Sequence, residues 1–404
     1  MVAVDVAIVG GGIQGLVLLR ELTSAGYTSV LVTNADLGSG QTLHSHGLLN
    51  SGTGLLSGAL QHELFEVTLP YLRRLGVAVS GADRSFFLAP DALVEKLSPG
   101  WEANHYRPAR TDPSSLPAGL EPLGLPVYRV PGVTVDKRRL VAALAAGLEP
   151  LVLRGQAVAA DQALQVRSAA SKETIALEAR AVVVAAGCGT KHLLRRVFGV
   201  DEGVLERITY RKAHMICVRA PRGVLPDVAA VMSPELLIVA HPPLDATSEN
   251  RLETWYVTPA DPEPALFDDA PDDGAADVDA AVVATGTRAV RRLVPGLARD
   301  DRPVEATVFA GYKQDFDGQP IRRACEVVDG ERNVIMALPS VLANAVPNAV
   351  DALTLIRQRL EPAAVAPEVQ WGPAVAVGQV NEDTDQTGWE QWSDFARRYG
   401  EEIG

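Results

Sequence analysis

The sequence predicts an α/β fold with two kinds of sheet, one parallel and buried, the other mixed or antiparallel and placed in a second domain. The chain opens with an apolar run, Val4–Val9, which is followed by a glycine-rich turn and a helical pattern. Two later apolar runs, Ala181–Ala186 and Asn333–Leu338, are typical of strands buried on both faces. Between them, Ala213–Arg219 and Glu235–Ala240 have the mixed, half-exposed pattern of an antiparallel sheet.

The opening segment has the order of one crossover unit of a parallel sheet. The turn Gly10–Gly15 (GGGIQG) follows the first strand, and an apolar helical pattern then runs from Leu16 to Leu22. Gly26 is suited to end that helix, and Ser29–Thr33 predicts a second buried strand. Strand, glycine turn, helix and strand in this order indicate a Rossmann-type, right-handed unit.

The glycines of this turn favour a dinucleotide cofactor over a turn that only packs. Gly10 permits a tight turn, Gly12 lets the backbone approach a pyrophosphate, and Gly15 allows close packing of helix and strand. The helix N-terminus, with its free N–H groups and dipole, favours phosphate there. The carboxylate that normally binds the adenosine ribose is missing. Either Asn34, as a neutral substitute, or Asp36, reaching back, is the predicted ribose ligand.

Composition and charge narrow the class of protein. The 404 residues are enough for about two or three domain-sized units. The net charge of −13 disfavours nucleic acid or an anionic membrane as the main partner, although a local cationic pocket can still bind an anionic substrate. The three cysteines have neither disulfide-framework nor zinc spacing, and neither a secretory leader nor a membrane-spanning apolar run is recognised. These features predict a cytoplasmic protein.

Further segments follow the opening unit in a recognisable order. The most specific is 37–48 (LGSGQTLHSHGL), and it is followed by Val135-Asp136 with its helix, by Ala185–Gly187, and by 311–314 with 317–320. On these segments the sequence resembles the D-amino-acid oxidase-like flavoproteins, which include glycine oxidase, sarcosine oxidase and dimethylglycine dehydrogenase. The resemblance runs from residue 4 to about residue 355.

The resemblance implies FAD as the cofactor, because in this family the segment matching 37–48 wraps the flavin and its phosphates. His44 matches a histidine that is covalently bonded to flavin in the dimethylglycine and sarcosine dehydrogenase branch. The alternative is that His44 and His46 are polar residues facing the cofactor groove. The chain departs from the family at 339–344 (PSVLAN), where members have a glycine-rich turn. The predicted cofactor-binding residues are Gly10, Gly12, Gly15, Asn34, Gly40, Gln41, Thr42, His44, Gly47, Ala186, Gly187 and Asn344.

Lys313, Tyr312 and His46 are the predicted catalytic residues. Members that take amino acids hold the carboxylate with an arginine after the glycine that matches Gly311. Lys313 stands there once Tyr312 is allowed for, and it keeps the charge without the bidentate fork. The alternatives are a solvated Lys313 and a Tyr312 that packs in the core instead of covering the site. A histidine such as His46 would serve as the base that a hydroxyl substrate needs. Weaker candidates are Arg211, Lys212 and His241.

The predicted function is FAD-dependent oxidation of a C–N bond in a small amine or amino acid, N-substituted ones included, by hydride transfer to flavin. Oxygen or another acceptor would then take the electrons. Oxidation of a 2-hydroxy acid at a C–O bond stays open, and so does a flavin-binding protein with little redox turnover. The predicted FAD-binding domain comprises 1–75, 134–205 and 305–360, and the substrate domain comprises 76–133 and 206–304. A C-terminal tail follows at 361–404, and the oligomeric state is left unassigned.

Overall fold

The computed structural model describes most of the chain. The described residues are 2–50, 64–77, 79–80, 84–102, 108–130, 132–158, 164–168, 173–241, 252–260, 265–271, 275–298, 303–318, 323–339, 341–363 and 388–400. Gln319, Pro320 and Ser340, which belong to two of the matched segments, lie outside the described residues, as does much of the predicted tail.

Strands and helices alternate in the first part of the chain, and strands dominate the middle. The strands are β1 (Val2–Val9), β2 (Ser29–Thr33), β3 (Leu48–Asn50), β4 (Val79–Ser80), β5 (Ser85–Leu88), β6 (Ala109–Thr111), β7 (Val127–Arg129), β8 (Gly132–Val135), β9 (Val152–Val158), β10 (Leu164–Ser168), β11 (Thr174–Val184), β12 (Ile208–Pro221), β13 (Ala230–Met232), β14 (Leu236–His241), β15 (Leu252–Pro259), β16 (Leu266–Phe267), β17 (Ala275–Ala276), β18 (Glu305–Phe316), β19 (Ala324–Asp329), β20 (Val334–Leu338) and β21 (Glu390–Gln391).

Within the described ranges, no helix is long and apolar enough to cross a membrane. The helices are α1 (Ile13–Ser24), α2 (Gln41–His44), α3 (Leu69–Arg74), α4 (Asp91–Glu102), α5 (Lys137–Ala145), α6 (Thr190–Arg196), α7 (Glu202–Leu205), α8 (Ala280–Leu293), α9 (Ala345–Arg357) and α10 (Trp392–Gly400).

The first sheet has a parallel core in the order β9-β2-β1-β11-β20. β10 links β9 to β11 through antiparallel pairing, and β19 lies antiparallel to β20. Its strands are apolar on both faces because α1, α5 and α9 contribute to the core on one side and α6 packs on the other. The predicted Rossmann-type sheet is confirmed.

Helix α1 begins and ends as its sequence predicts. Gly12 is the N-cap in an extended conformation, and the helix ends before Gly26, whose φ is +85°. The Tyr27 N–H donates to the Leu22 carbonyl at 3.0 Å, which satisfies an orphan carbonyl of the last turn. The buried face of α1 packs against β1 and against α9.

The second sheet is larger and mainly antiparallel, with the order β17-β18-β12-β15-β14-β13-β5-β7-β6. β13 and β5 form a parallel pair, and β16 and β21 add to β12 and β18. One face of this sheet packs on α8 and α10, which together cover an apolar core. The opposite face lies against β3, where Leu48 packs on Ala230 and Val239. The predicted mixed or antiparallel second sheet is confirmed.

Two segments differ from the sequence expectation. The Pro-, Asp- and Ala-rich composition of 260–279 predicts a surface loop that leads into a helix at 278–293. The helix is present as α8, but the described part of 260–279 contains β16 and β17, which pair with β12 and β18. The described end of the predicted tail is also structured. Trp392, Phe395 and Ala396 are buried in the core beneath the second sheet because their spacing places them on one face of α10.

Candidate active site

The glycine turn after β1 is shaped by packing at two positions and open at a third. A Cβ on Gly10, whose φ is +131°, would lie 2.3 Å from the Ala185 carbonyl oxygen. A Cβ on Gly15 would lie 2.0 Å from the Gly10 carbonyl oxygen. At Gly12 a Cβ would meet only the Thr42 hydroxyl, at 3.3 Å. The turn therefore leaves open backbone at the N-terminus of α1, which suits the approach of a pyrophosphate.

A cavity of about 130 Å³ adjoins this turn at the ends of β1 and β2. Asn34, Ala186, Gly155 and His192 are among the residues that line it. Asp36 is engaged elsewhere, because its carboxylate accepts from Arg154 Nη1 at 2.7 Å. Asn34 therefore lines the cavity where an adenosine ribose is expected, whereas the Asp36 carboxylate is paired with Arg154.

The segment 37–48 connects the helix N-terminus to the Gly187 turn. Thr42 Oγ1 accepts from the Ile13 N–H at 3.0 Å, so the segment is tied to the first turn of α1. Gly187, with φ of +55°, approaches Gln41. Gly40 is the N-cap of α2, and the space where its Cβ would lie is open. The predicted cofactor residues of three separate segments thus lie along one edge of the first sheet.

The second sheet presents one face to this segment. Strand pairing places Lys313 opposite Arg211, and Tyr256 beside both Cys217 and Val239. Because side chains alternate along a strand, Lys313 and Phe309 lie on the same face of β18. This face contacts 44–48 at two points. The ring centroids of His44 and Phe309 are 5.7 Å apart, and His241 Nε2 donates to the His46 carbonyl at 2.7 Å. We call it the cofactor-facing side of the second sheet.

Lys313 is half-buried on the cofactor-facing side. Burial lowers its pKa to about 8, and the Arg211 guanidinium adds to the effect. The charge of Asp315 acts in the opposite direction and raises the Lys313 pKa. The Asp315 side chain is fully buried and accepts two hydrogen bonds from Arg211, at 2.9 and 3.2 Å. No hydrogen bond or ion pair of Lys313 is found within the described part of the chain.

His46 and His241 are held neutral. Burial, with the nearby charge of Lys137, lowers the pKa of each to about 3, and Lys313 also contributes at His46. His46 Nδ1 accepts from the Leu48 N–H at 3.2 Å, so the ring proton of the neutral imidazole is on Nε2. His46 is therefore a hydrogen-bond donor at Nε2 rather than a base there.

Lys137 is a buried cation that sequence reasoning did not single out. Its Nζ donates to the Ser45 carbonyl at 2.8 Å and lies 3.9 Å from the ring centroid of Tyr256. Its position at the start of α5, next to two arginines, resembles a solvated basic run. The signal that could have identified it is its place directly after the matched pair Val135-Asp136.

One predicted residue, Tyr312, lies apart from this group. Tyr312 follows Gly311 and precedes Lys313, so its side chain points to the opposite face of β18. There its ring meets Phe267 edge-on at 5.4 Å, which favours packing over a lid. The structure therefore does not bring Tyr312 and Lys313 together. Asn344 is buried at the N-cap of α9.

Comparison with known proteins gives consistent matches. The family model described as DAO, FAD dependent oxidoreductase, matches residues 5–339. The chain is 28% identical over 319 residues to the probable FAD-dependent oxidoreductase PA4991 of Pseudomonas aeruginosa, covering 72% of this chain and 75% of that protein. The crystal structure of PA4991 superposes with a TM-score of 0.69 at 23% identity, covering 94% of this chain and 97% of that one.

Two other solved structures share the fold at lower identity. Glycine oxidase from Geobacillus kaustophilus superposes with a TM-score of 0.64 at 17% identity, covering 94% of this chain and 100% of that one. The dithionite-reduced L-α-glycerophosphate oxidase from Mycoplasma pneumoniae, with FAD bound, superposes with a TM-score of 0.68 at 16% identity, covering 90% and 97%. At these identities the likeness concerns the fold alone.

Proposed function

The chain belongs to the DAO family of FAD-dependent oxidoreductases, and on that premise we propose that it oxidises the C–N bond of a small anionic amine. The proposed substrate class comprises amino acids and N-substituted amino acids. The observation that carries the proposal is the position of Lys313, half-buried and without a protein partner within the described residues, on the cofactor-facing side of the second sheet.

The residues present fit FAD. The open backbone at Gly12 and the N-terminus of α1 would bind the pyrophosphate, and Asn34 would bind the ribose. The segment 37–48 would lie along the flavin, held to α1 by Thr42. FAD, when bound, supplies the acceptor for a hydride from the substrate carbon. His44 is the proposed position of a covalent link. Colour that stays entirely in the supernatant after acid precipitation would exclude that link.

Lys313 would anchor the substrate carboxylate. A charged hydrogen bond in a site shielded from water is stronger than one in solvent. Because Asp315 is already bound to Arg211, it does not compete with the substrate for Lys313. The lysine offers one point of attachment, so orientation of the substrate must also depend on other groups on the same face.

The surrounding charges favour an amine that reacts as its free base. Lys313 and Lys137 both disfavour a further positive charge nearby, so a substrate ammonium in this site would have a lowered pKa. A neutral amine needs no protein base. Since His46 Nδ1 is occupied by the Leu48 N–H, and its Nε2 carries the proton, the site supplies donors where a hydroxyl substrate would need an acceptor.

Oxidation of a 2-hydroxy acid at the C–O bond is the second candidate. The observation that favours it is the pKa of Lys313, which burial lowers to about 8. Near neutral pH part of the lysine would be uncharged and could take the hydroxyl proton. One structural neighbour, an L-α-glycerophosphate oxidase, bears a name consistent with a C–O substrate.

The test is anaerobic reduction of the flavin by matched pairs that differ only in the reacting group. The pairs are alanine with lactate and glutamate with 2-hydroxyglutarate, each compared as separate enantiomers. N-methylalanine, also as separate enantiomers, represents the N-substituted amino acids. The proposal expects loss of the oxidised flavin absorbance with an amine and none with its hydroxy partner. Reduction by the hydroxy acids alone would replace it with the second candidate. Reduction by dithionite but by no pair would refute both for these substrate classes.

A further inference from the structure

Two consecutive backbone carbonyls of the segment 44–48 are each bound by a buried side chain from a different part of the fold. Lys137, at the start of α5, donates to the Ser45 carbonyl at 2.8 Å, and His241, at the end of β14, donates to the His46 carbonyl at 2.7 Å. We propose that Lys137 and His241 are positioning residues, which together fix this segment between the second sheet and the flavin. The inference rests on the placement of the segment along the flavin in the proposed function, and it does not depend on the substrate.

The backbone of the segment is shaped around His241. Gly47 has φ of +65°, a conformation that favours glycine. A Cβ at this position would lie 2.9 Å from His241 Cε1 and 2.9 Å from the Val135 carbonyl oxygen. The Gly47 carbonyl in turn accepts from the Val135 N–H at 2.9 Å. The chain therefore approaches His241 and β8 more closely than a residue with a side chain would allow.

Tyr256 joins the two donors on their other side. The Lys137 Nζ lies 3.9 Å from the Tyr256 ring centroid, and the His241 ring meets the same ring edge-on, with the centroids 5.3 Å apart. Tyr256 is itself fully buried on β15. A shared neighbour in a close-packed interior restricts the rotamers of both donors. We call Lys137, His241 and Tyr256 the clasp.

Packing alone does not account for the two residue types that bind the carbonyls. Lys137 is 2% exposed and His241 is 5% exposed. Burial of an ammonium group is unfavourable unless hydrogen bonds or an aromatic face compensate for it, and an apolar residue would fill the same space without that cost. Burial also lowers the pKa of His241 to about 3, so the neutral ring donates from Nε2 to His46. What these polar side chains add is a directional hold on two carbonyls.

The clasp links the segment to both sheets. Lys137 begins the helix α5, which contributes to the core of the first sheet, whereas His241 belongs to the second sheet. The segment also carries His44, whose ring centroid lies 5.7 Å from that of Phe309 on β18. Phe309 and Lys313 lie on the same face of that strand. The clasp therefore fixes the segment relative to the face that carries Lys313.

The test compares amide hydrogen exchange of the holoenzyme with the signal of its bound flavin. His241→Leu removes one donor without removing a charge, and Lys137→Met removes the other. Each should speed exchange of the Leu48 and Val135 amides about tenfold, because both amides donate within the held segment or to it. The midpoint potential and the visible circular dichroism of the flavin should shift in the same variants. Loss of the Lys137 charge can move the potential by itself, so His241→Leu decides that measurement.

Conservative and matched variants separate positioning from folding. His241→Gln places an amide N–H near the position of Nε2 and should restore both signals. His214→Leu and Lys191→Met are the controls, because both residues are buried and bond to backbone elsewhere. His214, on the opposite face of β12, accepts from the Asp279 N–H at 2.9 Å, and Lys191 donates to the Ile208 carbonyl at 3.0 Å. Both controls should keep the wild-type exchange at 44–48 and the wild-type flavin signal.

Each outcome bears on a different part of the inference. Unchanged exchange in both test variants, an equal increase in the controls, or no restoration by His241→Gln would overturn the clasp and leave the proposed function standing. Faster exchange with an unchanged flavin signal would overturn the placement of the segment along the flavin, and with it both this inference and the proposed cofactor arrangement. If His241→Leu yields no holoenzyme, His241→Asn replaces it, because its shorter amide does not reach the His46 carbonyl.

Discussion

Gly12→Ala should separate cofactor binding from packing at the start of α1. The backbone of Gly12 has φ of −77° and ψ of −178°, a conformation that alanine adopts without strain. Its added Cβ would meet only the Thr42 hydroxyl, at 3.3 Å, and a shift of a few tenths of an ångström relieves that contact. The folded apoprotein should therefore tolerate the substitution.

The substitution is expected to lower the affinity for FAD. If the pyrophosphate lies against the backbone at Gly12, a methyl group there removes or lengthens a hydrogen bond to a charged group, which is worth about 1.5–3 kcal/mol. The Kd of FAD should rise by about ten- to a hundredfold. Gly15→Ala should behave differently, because its Cβ would lie 2.0 Å from the Gly10 carbonyl oxygen and must disturb the turn in the apoprotein too.

The assay is a titration of apoprotein with FAD, followed by flavin fluorescence, beside the thermal midpoint of the apoprotein. All variants carry His44→Ala, so that no covalent link to that residue interferes. Gly330→Ala is the control, because nothing lies within 4 Å of its added Cβ. An FAD affinity of Gly12→Ala equal to that of the control would refute the placement of the pyrophosphate. A large fall in the thermal midpoint of Gly12→Ala would refute the argument that packing tolerates it.

Three further predictions concern the charged groups of the site. Binding of simple carboxylates should weaken as pH rises through about 8, because Lys313 loses its proton there. Lys313→Met should weaken this binding about tenfold at pH 7 and abolish its pH dependence. A pH dependence that persists in the variant would show that another group titrates. Arg211→Met removes a charge that lowers the Lys313 pKa, and it leaves Asp315 unpaired. The pH midpoint of carboxylate binding should therefore move upward. A midpoint at or below the wild-type value would contradict this. Burial lowers the pKa of His46 and His241 from 6.5 to about 3, so the free energy of unfolding should fall as pH drops from about 6.5 towards 3. In urea unfolding, His241→Gln should lose less of this free energy over the same pH range. An equal loss of free energy in the variant would exclude His241 as a contributor.

The sequence predicted the elements whose signal is local. The strands β1, β2 and β20 are short apolar runs, and the turn between β1 and α1 depends on glycines whose need can be read directly from their spacing. The second sheet could be predicted only as a class. Its register, and therefore which of Tyr312 and Lys313 faces the cofactor, depends on pairing between segments about 100 residues apart, such as Arg211 with Lys313.

The parts of the site that sequence reasoning missed depend on tertiary contacts. Lys137 begins an ordinary amphipathic helix, and nothing in that pattern shows that its ammonium group is buried against Ser45 and Tyr256. The hydrogen bond from His241 to the His46 carbonyl likewise joins residues far apart in the sequence.

We infer that a positively charged surface holds a small anion against the flavin. It is tested most directly by titrating the oxidised holoenzyme with acetate and with acetamide, which have nearly the same shape and differ in charge. We expect a saturable change in the flavin spectrum with acetate, weakening above about pH 8 as Lys313 is deprotonated, and no comparable change with acetamide. Equal responses to the two compounds, or no response to acetate at any pH, would contradict it.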